Sequence, residues 1–200
     1  MPALLSPGAT VKFLAAVVPA CYFQSMKNSV EIFNGRLISL AIEEHRLPDG
    51  RRAEFEVVHH PGGAAVLPLL DDGRVVLIRQ FRPALGSMVL EIPAGRLEPG
   101  ETPEACVRRE LVEEVGYRAE TVVKLGEMLP AVGFCDERIH LFVATGLQPA
   151  PQALEPDEYI EVLPMPLADA LAMVSAGQIP DGKTQLALLL WQTRQAGPRP

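Results

Sequence analysis

The sequence predicts an α+β domain, with strands and a few interspersed helices in an α/β/α layered arrangement. Three observations carry this prediction. From Val30 onward, short apolar runs recur between clusters of Gly, Pro, Asn and Asp, which is the pattern of strands and turns. One central stretch, Thr102 to Gly116, carries signals for both ends of a helix. Two further helical patterns close the chain, at Pro166 to Ser175 and Lys183 to Gln195. Two hundred residues at 48% hydrophobic content suffice for one domain with a sizeable core.

Charge and cysteine usage narrow the class. A net charge of −7 and a pI of about 5.2 argue against a nucleic-acid backbone as the main partner. No apolar run reaches the ~18 residues of a membrane span. Cys21, Cys106 and Cys135 are odd in number and lack metal-ligand spacing, so reduced thiols in a cytoplasmic protein are the simplest account.

Taken in order, residues 1–25 are set apart from the fold as an extension, either disordered or not native to the chain, with Met26 as the alternative start. Phe13 to Phe23 is apolar, but its charged lead and length are poor for a secretory signal. Val30 to Phe33 and Leu37 to Ile42 flank Asn34-Gly35, a type I′ signal, and are expected to form a hairpin. Pro48-Asp49-Gly50 turns the chain into a strand over Ala53 to Val58. Ala64 to Leu70 and Val75 to Phe81 flank Asp71-Asp72-Gly73 and read as another hairpin. Met88 to Ile92 is a short strand feeding a loop bracketed by Gly95 and Gly100. Further strands are expected at Val122 to Met128, Ile139 to Ala144 and Tyr159 to Leu163, the last following a proline-rich loop over Gln148 to Pro156.

The central helix is the most informative element. Thr102 is a fair N-cap, Pro103 suits the first helical position, and Gly116 can end the helix in a left-handed conformation. Val107, Leu111 and Val115 make an apolar stripe, while Glu110, Glu113 and Glu114 fall on another face at i, i+3 and i+4. Like charges so spaced destabilise a bare helix by roughly 0.2–0.5 kcal/mol per pair. A hard divalent cation such as Mg²⁺ reverses that sign, because it takes carboxylate oxygens together with substrate phosphates. Arg109 and Glu101 can pair to tie the loop to the helix. A solvated acidic face is the plainer reading of such a run, but the placed glycines and the arginine speak against it.

The spacing G-x5-E-x7-R-E-x-x-E-E-x-G, met by Gly95, Glu101, Arg109, Glu110, Glu113, Glu114 and Gly116, with Leu111 between, resembles the Nudix box. Tyr117 departs from the family's usual bulky aliphatic residue, at a packing position. Arg79-Gln80-Phe81-Arg82-Pro83, Leu90 to Gly95, Glu101 to Ala105 and the tail Asp181-Gly182-Lys183-Thr184 are similar to the ADP-ribose pyrophosphatase branch, so the resemblance covers about residues 28–195. It implies the Nudix fold, a mixed β-sheet sandwiched between helices. An N-terminal antiparallel β segment at 26–63, used for dimerisation and substrate contact, precedes a hydrolase domain at 64–197. It also implies a cytoplasmic homodimer that uses two or more Mg²⁺ ions, with Mn²⁺ able to substitute, and cleaves ADP-ribose to AMP and ribose 5-phosphate. The branch's usual proline sixteen residues after Gly116 is here Val132, with Pro130 two residues earlier. That departure keeps another nucleoside-diphosphate sugar or an oxidised nucleotide open as substrate. A non-catalytic nucleotide-sugar sensor is the competing class, although such modules tend to lose the box carboxylates and this chain keeps all three.

Residue roles follow from the resemblance. Glu110 and Glu114 are expected as principal metal ligands, Glu113 as shared or outer, with the Ala94 carbonyl completing the set and Glu91 touching the metal or its water. Arg82 is expected to clamp phosphate through its guanidinium, the alternative being a surface arginine; Arg79 is expected to face the same way. Phe55 sits where the family places an aromatic against adenine, or is simply strand core, and His60 approaches the phosphates or lies in a solvated loop. The general base is expected on the loop containing Glu155, Asp157 and Glu158, since metal-bound carboxylates have their charge committed. Lining up Tyr159 to Val162 with the family's strand favours Glu158, with Glu155 second and Glu113 the candidate if the base lies within the box.

Overall fold

The computed structural model describes residues 28–156 and 158–196. The expected 1–25 extension, Asp157 and the last residue of the expected 64–197 domain lie outside the described residues. Thirteen elements follow: β1 (Ser29–Asn34), β2 (Ser39–Arg46), β3 (Arg52–His59), β4 (Gly63–Pro68), β5 (Arg74–Arg82), β6 (Ser87–Glu91), β7 (Ala94–Arg96), α1 (Pro103–Val115), β8 (Tyr117–Met128), β9 (Ile139–Pro149), β10 (Ile160–Pro166), α2 (Leu167–Ser175) and α3 (Gly182–Gln195). The strands form sheets in the orders β1-β2-β3, β10-β5-β6 and β7-β4-β9-β8. The last of these is mixed, because β4 runs parallel to β9 while its other pairings are antiparallel.

The layering follows from side-chain parity. β4, β5 and β9 are near-continuous apolar runs, as strands covered on both faces must be. Ala64, Val66, Val76, Ile78, Phe142 and Ala144 meet Cys106, Val107, Leu111 and Val115 of α1. Their odd-numbered neighbours Ala65, Leu67, Val75, Leu77, Leu141 and Val143 meet Ala170, Ala187 and Leu188 of α2 and α3. Successive residues of a strand point to opposite faces, so each run feeds two cores at once. The α/β/α sandwich is thus as expected.

Two turn expectations need correction. β4 and β5 are joined by the expected tight turn, with Gly73 at φ 84° and Leu70 N–H donating to the Arg74 carbonyl at 2.9 Å. Beyond one bridge, Leu69 to Val75, the strands part into different sheets, so they are not a hairpin. Each strand finds long partners elsewhere and buries both faces there, which a two-stranded ribbon could not provide. The β1-β2 hairpin does form, but Asn34 pairs with Ser39, so the loop spans 35–38 rather than a two-residue type I′ turn. Gly35 does not take a positive φ. A Cβ there would lie 2.6 Å from the exposed ring of Phe33, which would have to turn aside.

The N-terminal sheet is joined to the sandwich through β3. Val58 N–H donates to the Phe134 carbonyl at 2.7 Å, Asp136 N–H donates to the Val58 carbonyl at 3.1 Å, and His59 Nδ1 meets Asp136 Oδ2 at 2.6 Å. No helix among the described residues is long and apolar enough to cross a membrane.

Candidate active site

The central helix forms as its ends dictate. Thr102 Oγ1 accepts from Ala105 N–H at 3.2 Å, Pro103 opens the helix, and Gly116 closes it at φ 69°. Burial of Val107, Leu111 and Val115 against the sheet fixes the rotation of α1, and so turns the carboxylate face toward the loop at Ala94 and Gly95.

Arg109 organises that loop. Its Nε and Nη2 donate to the two Glu101 oxygens, both at 3.0 Å, and Nη2 also donates to the Arg96 carbonyl at 3.2 Å. The expected loop-to-helix ion pair is therefore present. Nη1 in addition bonds Glu110 Oε1 at 2.6 Å and Glu113 Oε2 at 3.0 Å, so one guanidinium is shared among three carboxylates.

Glu110 and Glu114 are buried, and Glu113 is more open. Glu114 Oε2 accepts from Ala94 N–H at 2.9 Å. Burial first, then the Glu110 charge, push the Glu114 carboxyl well above the ordinary range, and the Glu158 charge adds to this. Burial likewise pushes Glu110 up to about 7, against the pull of Arg109 and helped by Glu113 and Glu158. Two neighbouring carboxylates that burial pushes up in this way suit a divalent cation. Gly95 supplies the room, for a Cβ there would lie 1.6 Å from Glu110 Oε1. Among the described residues the acidic groups are not drawn around one point: Arg109 holds Glu110 and Glu113, while Glu114 turns to Ala94. The residue types present fit a hard metal ion, and holding one would require Glu110 and Glu113 to turn from Arg109.

The segment 91–94 is the hub. Arg82 Nε and Nη2 donate to Glu91 Oε1 and Oε2, both at 2.7 Å, in a bidentate fork. Glu91 holds the Arg82 guanidinium firmly protonated against the effect of burial, and the charges of Glu114 and Asp181 contribute, which ties Arg82 to the carboxylate cluster. Burial pushes the Glu91 carboxyl up, but Arg82 and Lys183 together outweigh it and hold it below its ordinary value. Glu91 Oε2 also accepts from Lys183 Nζ. One residue on, Ile92 N–H donates to Thr184 Oγ1 at 2.7 Å, and Thr184 in turn donates to Asp181. The tail is similar to the family's, but nothing in the sequence gives Lys183 a role. Its signal was a lysine at the start of an apolar helix, a position that usually means solvent.

Of the remaining sequence candidates, Arg79 does not share the face of Arg82. An odd separation along β5 puts the two on opposite sides, and Arg79 pairs with Glu161 of β10 at 2.5 Å. Phe55 is 43% exposed, which excludes the strand-core alternative. It makes an edge contact with His45 at 5.9 Å and lines a cavity of about 380 Å³ with Val132, Phe134 and Cys135. His60 accepts from Gly62 N–H at 3.0 Å through Nδ1, which also lies 3.4 Å from Glu137. In the loop before β10, Glu158 Oε2 accepts from Glu155 N–H at 2.9 Å, and Glu158 N–H donates to the Glu155 carbonyl at 3.1 Å. Glu155 is exposed and Glu158 half-buried.

A carboxylate helix under a glycine loop, on an α/β/α sandwich, defines the class of domain. The chain belongs to the NUDIX domain family, whose model matches residues 59–187. It is 40% identical over 168 residues to the ADP-ribose pyrophosphatase of Bacillus subtilis (strain 168), covering 83% of this chain and 91% of that protein. It is 37% identical over 189 residues to the GDP-mannose pyrophosphatase of Cronobacter sakazakii (strain ATCC BAA-894), covering 84% of this chain and 98% of that protein. The crystal structure of an ADP compounds hydrolase superposes with a TM-score of 0.75 at 22% identity, covering 86% of this chain and 94% of that one, and bears out the fold.

Proposed function

We propose that the protein is a divalent-metal-dependent pyrophosphohydrolase that cleaves ADP-ribose to AMP and ribose 5-phosphate. The observation that carries this is the pair of buried carboxylates, Glu110 and Glu114, both pushed up by burial, beside the half-buried arginine Arg82. The named activity of the Bacillus subtilis relative supports the substrate.

Glu110 and Glu114, with Glu113 and the Ala94 carbonyl, are the residues to hold the metal. Mg²⁺ or Mn²⁺ bound there supplies charge neutralisation of the pyrophosphate and makes water more acidic. Arg82 binds a phosphate oxygen pair through its fork. Glu158, whose charge already reaches Glu110 and Glu114, takes the proton of the attacking water as a P–O bond forms and the bridging P–O bond breaks. Ala94 N–H keeps Glu114 aimed at the site, and Arg109 holds the loop that carries the Ala94 carbonyl.

A panel of ADP-ribose, GDP-mannose and oxidised nucleotides, with products identified, tests the reading. Hydrolysis of ADP-ribose is expected with Mg²⁺, abolished by EDTA and restored by Mg²⁺ or Mn²⁺. Turnover that survives exhaustive chelation would sink the mechanism, and binding without hydrolysis would favour a sensor. A preference for another nucleoside-diphosphate sugar is the second reading. Val132, 75% exposed where the branch's proline is expected, shares its cavity with Phe55, and the Cronobacter relative is named for GDP-mannose.

We further propose a cytoplasmic homodimer. Every residue of β1 is exposed, including Val30, Ile32 and Phe33, so among the described residues this edge strand presents apolar side chains and an unpaired backbone edge. Light scattering is expected to give a dimer mass; a fully active monomer at micromolar concentration would contradict it.

A further inference from the structure

Arg82 has two duties that conflict. It is the fork that neutralises Glu91, a carboxylate only 2% exposed, and it is the group proposed above to bind phosphate. Leaving Glu91 alone as Arg82 swings to a substrate would strand a buried charge, a large penalty in a water-poor site. The structure contains a second cation for that carboxylate. Lys183 is 8% exposed, its ammonium meets Glu91 Oε2, and it also donates to Asp181 Oδ1 at 3.0 Å.

We propose that Lys183 is a positioning residue that keeps Glu91 compensated, so that Arg82 is free to exchange Glu91 for the substrate phosphate. The two cations differ in mobility in the sense this requires. Arg82 ends β5, and its side chain is 37% exposed on a long flexible stem, whereas the Lys183 side chain is 10% exposed. Lys183 is anchored through the start of α3, where Asp181 caps the helix by accepting from Thr184 N–H at 2.9 Å. Thr184 in turn accepts from Ile92 N–H, the residue after Glu91. With Arg82 in place two cations face two carboxylates, and when Arg82 turns to a phosphate Lys183 still meets Glu91, so that carboxylate is not left alone. Lys183 itself need not touch substrate.

The inference rests on Arg82 being the phosphate clamp, so the test separates the two. Steady-state kinetics on ADP-ribose with saturating Mg²⁺ are compared for Lys183→Met, Lys183→Arg, Arg82→Ala, Glu91→Gln and the double variant Lys183→Met with Glu91→Gln. Without Lys183 the state with Arg82 released is rarer, so Lys183→Met is expected to raise KM roughly tenfold or more with a smaller change in kcat. Lys183→Arg is expected to recover most of the loss. In the double variant, adding Lys183→Met to Glu91→Gln is expected to leave KM unchanged, because there is no carboxylate charge left to hold. That variant removes both charges together, so it remains informative if Lys183→Met alone fails to fold. A lower kcat with unchanged KM, or an equal KM penalty with and without the Glu91 charge, would mean that Lys183 only stabilises the fold and would overturn the inference. If Arg82→Ala leaves KM unchanged, the clamp falls and this inference with it. If Arg82→Ala raises KM and Lys183→Met does not, only this inference falls.

Discussion

Glu114→Gln is expected to lower kcat by orders of magnitude while the fold survives. The side chain is 1% exposed, and its hydrogen bond from Ala94 N–H can be kept by an amide oxygen of the same size. What the change removes is a charge that a divalent cation needs and the bare protein tolerates poorly. Metal titration is expected to show weaker binding in parallel with the lost activity. A variant with near wild-type kcat would refute the ligand assignment.

The same substitution has a consequence for stability. The Glu114 carboxyl is pushed well above its ordinary value of 4.5, and Glu110 is pushed from 4.5 to about 7, so the folded chain binds protons more tightly than the unfolded one. Stability from these groups is therefore present at low pH and lost as pH rises through about 7. In chelated protein, the fall in Tm between pH ~5 and pH ~8 is expected to be smaller for Glu114→Gln than for wild type. An equal or larger fall would show that these carboxylates are not the strained pair inferred from their burial.

Glu158→Gln is expected to lower kcat by about 10²–10⁴-fold, the usual share of a general base, with KM and Mg²⁺ affinity little altered. Its charge contributes to raising both Glu110 and Glu114, so it lies within electrostatic reach of the metal site without being part of the helix. Glu155 takes part in the loop through its backbone N–H and carbonyl, both bonded to Glu158. Glu155→Gln is therefore expected to have a small effect. An unimpaired Glu158→Gln beside a collapsed Glu155→Gln would move the base to Glu155. Two unimpaired variants would move it into the box, to Glu113.

Much of the site was legible because it is local in the chain. The cap at Thr102, the apolar stripe, the left-handed Gly116 and the Glu101–Arg109 pair all lie within one loop and one helix, and each takes the conformation that its neighbours in sequence demand. Alternation along a strand gives a face, not a partner, and so the parting of β4 from β5 after Asp71-Asp72-Gly73 was not readable. Arg79 was expected to face the same way as the clamp candidate Arg82, and the pleat of β5 together with Glu161 on β10 separates them.

By itself, then, the sequence determined the carboxylate helix, its caps and the apolar periodicity, since these depend on interactions within a few residues. Only the tertiary structure decided which charges compensate which. Glu91 and Lys183 lie ninety-two residues apart in the chain and meet because α3 docks on one face of the sheet while α1 covers the other. Burial of both faces of the sheet set that arrangement, and it left Glu91 no solvent to share its charge with, only Arg82 and Lys183.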